Sequence, residues 1–94
     1  MTYSPNISAI ADTIREEADR THAAYPQYRG FWNSADWRLV QITRKIRTKA
    51  GIAFVKGEYT LARLDESREG FLTAYSVRTT YNTLIKASDA RWME

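Results

Sequence analysis

The sequence predicts an α+β fold: two N-terminal helices packed on a small antiparallel five-strand sheet or barrel. Three observations carry this expectation. Apolar residues recur every three or four positions from Ile7 to Thr21 and again from Ala35 to Ala50. After Gly51 the period shortens to two, and polar or glycine-bearing turns then punctuate the chain at short intervals. A length of 94 residues corresponds to one domain, 1–94, with helices over about 5–24 and 35–49 and a β-rich part over about 52–93.

Ser4-Pro5 reads as an N-cap followed by proline at the first helical position, where a missing N–H costs nothing. Ile7, Ile10, Ala11, Ile14, Ala18 and Thr21 then form one apolar stripe. Arg15 with Asp19, and Glu16 with Arg20, stand four apart on the solvent side. Tyr25 precedes Pro26 and is pushed out of the helical region, so the helix ends near Ala24. Tyr25 to Ser34 is an aromatic-rich loop, and its large rings are expected to cap the small core from outside.

Asn33 and Asp36 have the spacing of a capping box and open the second helix. On a helical wheel Ala35, Leu39, Ile42, Thr43, Ile46 and Ala50 share the buried face, while Trp37, Gln41, Arg44 and Thr48 look outward. Gly51 is the expected left-handed stop. Beyond it, Ile52 to Val55, Glu58 to Leu64, Phe71 to Thr79, Thr83 to Lys86 and a last strand through Arg91-Trp92-Met93 are expected strands. Lys56-Gly57 makes a turn, 65–70 (DESREG) a polar loop, and Ala87-Ser88-Asp89 a single helical turn.

The segment FVKGEYTLAR, a polar loop, the hairpin FLTAYSVRTTYNTLIKA, the one-turn helix at ASD and the closing RWM together resemble an SH3-like small barrel over residues 52–93. The resemblance implies closure of a twisted sheet, which removes unpaired edges. It implies no single function, since such barrels bind peptides, RNA, DNA or other subunits. The acidic loop and paired tryptophans of proline-peptide readers are absent from the sequence.

Charge supplies the functional signal. Residues 37–57 hold Arg38, Arg44, Lys45, Arg47, Lys49 and Lys56 and no acid. The preceding segment carries three basic residues against five acids, and the following one five against six. The net charge of +3 is therefore concentrated in one block. Mixed signs would serve solubility better, so the run of cations points to a binding surface. Placed outward beside them, Trp37 is a stacking plate for a base or an anchor at a protein interface. The candidate binding residues are Trp37, Arg38, Arg44, Lys45, Arg47, Lys49 and Lys56.

Catalytic chemistry finds no foothold. The chain has no cysteine and one histidine, His22, expected on the surface near the end of the first helix. There is no metal-ligand spacing, no phosphate-cradling glycine loop and no nucleophile elbow. No apolar run approaches the roughly 18 residues of a membrane span, and the N-terminus lacks the pattern of a signal peptide, so a cytoplasmic location is expected. The expectation is a non-enzymatic binding module without cofactor, a compact accessory protein of the kind common in bacteria and their phages. It would recognise an acidic protein partner in an interaction or assembly role, or alternatively DNA or RNA through phosphates. The surplus of aromatics also allows self-association.

Overall fold

The computed structural model describes residues 6–24, 33–49, 51–75 and 82–94. One α-helix, α1 (Ile7–Ala24), precedes strands β1 (Arg38–Ile42), β2 (Ile46–Thr48), β3 (Gly51–Phe54), β4 (Tyr59–Leu64), β5 (Phe71–Ala74), β6 (Thr83–Lys86) and β7 (Ala90–Trp92). Single 3-10 turns stand at Ser34–Asp36 and Ala87–Asp89. Five strands form one curled antiparallel sheet in the order β6-β5-β4-β1-β7, and β2 pairs with β3 in a separate two-stranded ribbon. The class is α+β, but the described residues contain one α-helix where two were expected.

The second helix, 35–49, is overturned. Asn33 does cap, its Oδ1 accepting from the Ala35 amide at 3.1 Å, yet what it caps is a single 3-10 turn. From Arg38 the chain is extended. Val40, Ile42, Thr43, Ile46 and Thr48 are β-branched, which favours a pleated backbone over a helix. β1 lies in the interior of the sheet, paired with β4 from Arg38↔Ala62 to Gln41↔Tyr59 and with β7 from Val40↔Trp92 to Ile42↔Ala90. Covered on both faces, it buries Leu39, Val40 and Ile42 alike. Positions 35, 39, 42 and 46 matched a helical period, but Ala35 is exposed, and Leu39 and Ile42 belong to opposite faces of a strand.

The strand expected at 52–55 is also displaced. It exists as β3, but it belongs to the β2–β3 ribbon, and β1 takes its place in the five-stranded sheet. The barrel-like part thus begins at Arg38 rather than at residue 52. Downstream, β4, β5, β6, the turn at Ala87–Asp89 and β7 fall where the alternation placed them. The expected 71–79 strand ends early, at Ala74, and its residues 76–79, with all of the aromatic loop but Asn33 and Ser34, lie outside the described residues.

The curl of the sheet encloses Val40, Ile42, Ala62, Leu72, Ala74 and Ile85, and the ribbon adds Ala53 and Phe54 to this core. Phe54 is 0% exposed and is among the largest side chains fully removed from water. A second cluster lies between the sheet and α1: Ala18, Trp37, Leu61 and Tyr75, with Ile14 packed against it. These two cores explain why Thr60, Leu61 and Ala62 are buried consecutively in β4.

Asn6 caps α1, accepting the Ala9 amide on its Oδ1 at 3.1 Å. The expected cap, Ser4-Pro5, lies outside the described residues. Arg15, expected to face solvent beside Asp19, instead turns toward the sheet. Its guanidinium donates to the Trp37 carbonyl at 2.7 Å and forms an ion pair with Glu94. The Glu94 carboxylate in turn accepts from the Leu39 amide at 2.8 Å. His22 is 7% exposed rather than on the surface, with Nδ1 2.8 Å from the Ala18 carbonyl and its ring 5.8 Å from that of Tyr75. Among the described residues, no helix is long and apolar enough to cross a membrane.

Candidate functional site

The basic block does not form one surface. Trp37 is 3% exposed and sits in the α1-facing cluster, with the Arg63 guanidinium 5.2 Å from its ring. It is a core residue, and the outward stacking plate expected from a helical wheel is withdrawn. Arg38 lies over the Trp92 ring at 4.3 Å. Lys49 is in the turn after β2 and Lys56 in the turn after β3; both are exposed.

Arg44, Lys45 and Arg47 do come together. They occupy the short bend after β1 and the start of β2, where they line one wall of an open groove of about 360 Å³. The opposite wall is built from β6 and the 3-10 turn and contributes Lys86 and Asp89. Four cations therefore surround one carboxylate. Asp89 compensates one of them weakly, at 3.8 Å from an Arg44 side chain that is 75% exposed. Ile46, Phe71, Leu84 and Ile85 supply apolar surface to the same groove.

Local backbone chemistry holds these walls in place. The Thr43 amide donates to the Asp89 carbonyl at 2.9 Å, tying the bend before Arg44 to the 3-10 turn. The Ala87 amide donates to the Gly70 carbonyl at 2.9 Å, so the same turn is fixed to the start of β5. A register shift between Ile46 and Arg47 sets Ile46 against the core while Arg47 stays exposed. The Arg68 guanidinium lies over the Phe71 ring, 5.1 Å from its centre. The groove thus mixes cationic and apolar side chains in its lining and is tied at Thr43 and at Ala87.

Lys86, Phe71 and Leu84 are groove residues that the charge pattern did not single out. Lys86 belongs to a segment of balanced charge nearly forty positions beyond Arg47, and only the pairing of β6 with β5 brings it to the groove. The loop at Asp65–Gly70 offers acids rather than a second site. Hydrogen bonds from the Ser67 side chain and amide, aided by Thr73, hold the Asp65 carboxyl below its ordinary pKa.

Comparison with family models, with curated proteins and with solved structures finds no match to this chain. The reading of the groove therefore rests on its own chemistry.

Proposed function

We propose that this chain is a non-catalytic binding module, an SH3-like small barrel that recognises an acidic segment of a protein partner through the groove rimmed by Arg44, Lys45, Arg47 and Lys86. The barrel reading draws support from connectivity: a meander of three strands, a ribbon inserted after the first sheet strand, and a 3-10 turn leading to a last strand that returns to pair with the first. The observation that carries the function is the composition of the groove. Four cations against one carboxylate attract anions, and the apolar surface of Ile46, Phe71 and Leu84 rewards a ligand that carries aliphatic side chains as well.

That combination favours protein over nucleic acid. Single-stranded nucleic acid is bound by cations together with aromatic faces open for stacking. Among the described aromatics, Trp37 is buried, and Trp92 and the groove's Phe71 already have Arg38 and Arg68 over their rings. A phosphate backbone would use the rim and leave the apolar part of the groove unmatched.

A library of random peptides displayed on phage, selected against the immobilised chain, is expected to enrich acidic sequences containing aliphatic residues. Their binding should fall about tenfold or more in Arg47→Glu/Lys86→Glu, because each reversal replaces an attraction by a repulsion. Enrichment without acidic bias, or equal binding to the double variant, would overturn the proposal. So would stronger binding of oligothymidylate than of every selected peptide.

A further inference from the structure

The walls of the groove specify how an occupant would lie in it. Leu84, Ile85 and Lys86 are consecutive, and all three line the groove. Successive side chains of a strand point to opposite faces, so the feature that all three share is the margin of the strand. Among the described residues that margin is unpaired: β6 ends the sheet and pairs with β5. Across the groove, Ile46 and Arg47 belong to β2, whose strand pairing among the described residues is with β3. The groove is a trough between two strand margins that are not bonded to each other.

Unpaired strand margins are sites of chain addition unless proline, a bulge or charge blocks them. Residues Thr83–Lys86 contain no proline, and their pairing with β5 runs without a register shift. Charge is present, but of one sign, and it selects the occupant. A second copy of this chain joined margin to margin would bring Lys86 and its neighbouring cations against the same set. An acidic segment would neutralise them.

We infer that the partner enters as an extended acidic strand that hydrogen-bonds to the margin of β6 left unpaired among the described residues, with carboxylates on the face that carries Lys86 and alternate aliphatic residues on the face of Ile85. This rests on the groove being the binding site and adds the mode of recognition. Main-chain bonds fix the direction and register of the segment, while the cations choose its sign. The four residues of β6 present about 13 Å of margin, enough for three or four residues of an added strand.

The test uses the whole chain and a capped ten-residue peptide of alternating Glu and Val, alone and in two forms N-methylated on one or the other alternate set of amides. One methylated form should lose about tenfold or more in affinity, and the other should bind as the parent does, because only one set of amides can face β6. Hydrogen exchange of the β6 amides that point away from β5 should slow when the parent peptide is added. If both methylated forms bind like the parent while Arg47→Glu/Lys86→Glu still abolishes binding, strand addition is overturned and the groove reading survives. If this peptide fails but library-selected acidic peptides bind the groove, strand addition alone is overturned. If no acidic peptide binds, both fall. Protection of the β6 amides by self-association in the absence of peptide would replace the acidic partner with a second copy of the chain and overturn the inference.

Discussion

Arg15 and Glu94 lie far apart in the sequence and meet at the first residues of β1. Burial alone would raise the Glu94 pKa. The hydrogen bonds from Arg15 and the Leu39 amide, with the positive charges of Arg15 and Arg38, outweigh it and hold the carboxyl below its ordinary value. A carboxyl depressed in the folded state stabilises the fold above its unfolded pKa, and that contribution is lost as pH falls through the lower, folded value. Glu94→Gln should therefore cost about 1 kcal/mol at neutral pH, a figure kept small because the side chain is 31% exposed and partly screened. Urea denaturation across pH should show the gap between the two proteins narrowing below about pH 4.5. A gap independent of pH would mean that the carboxylate charge contributes nothing. Single-residue roles of this kind were the least legible part of the sequence. Arg15 has Asp19 one helical turn away, and nothing in local spacing says that it will choose a residue near the other end. Trp37 and His22 looked exposed for the same reason: each is buried by an element distant in the chain.

At the scale of elements, the β-rich half was legible where turns and alternation both spoke. Lys56-Gly57 shows why. Gly57 has φ +90, its amide donates to the Ile42 carbonyl at 2.7 Å, and a Cβ there would meet no heavy atom within 4 Å. Its requirement is conformational, not steric. Gly57→Ala should cost about 1–2 kcal/mol, with Gly57→Asn milder because asparagine tolerates positive φ better. Thermal melts of the two variants would check the order; equal stabilities would show that the turn relaxes. The stretch 35–49 was not legible, because a strand covered on both faces loses its alternation and leaves an apolar run that a helical period can also fit. Its five β-branched residues were the signal available, and the match at positions 35, 39, 42 and 46 masked it. Part of the candidate site was lost with it. The cations were visible as a block, but their division into groove residues and bystanders depends on the bend between β1 and β2.

The molecule as a whole is two cores sharing one sheet. The inner one is enclosed by the curl, and the outer one is closed by α1 through Ala18, Trp37, Leu61 and Tyr75. Removing the side chain that joins helix to sheet should loosen them unequally. Trp37→Ala is expected to cost about 3–5 kcal/mol by urea denaturation. Native-state hydrogen exchange should accelerate more in α1 than in β4 and β5, since the inner core keeps its own contacts. Uniform acceleration would show that the two cores unfold as one. The same arrangement separates stability from recognition: the groove lies against the inner core, on β2 and β6, away from the residues that hold α1.

The pairing of β1 with β7 carries a consequence for how the chain is made. β1 leaves the ribosome early but finds one of its two neighbours only when Ala90–Trp92 has been synthesised. Until then, one side of this future interior strand has no native mate, and the hydrophobic stretch Leu39-Val40 is open to chaperones and to neighbouring nascent chains. Closure of the sheet must wait until β7 has emerged, which makes its assembly depend on its most distant contact.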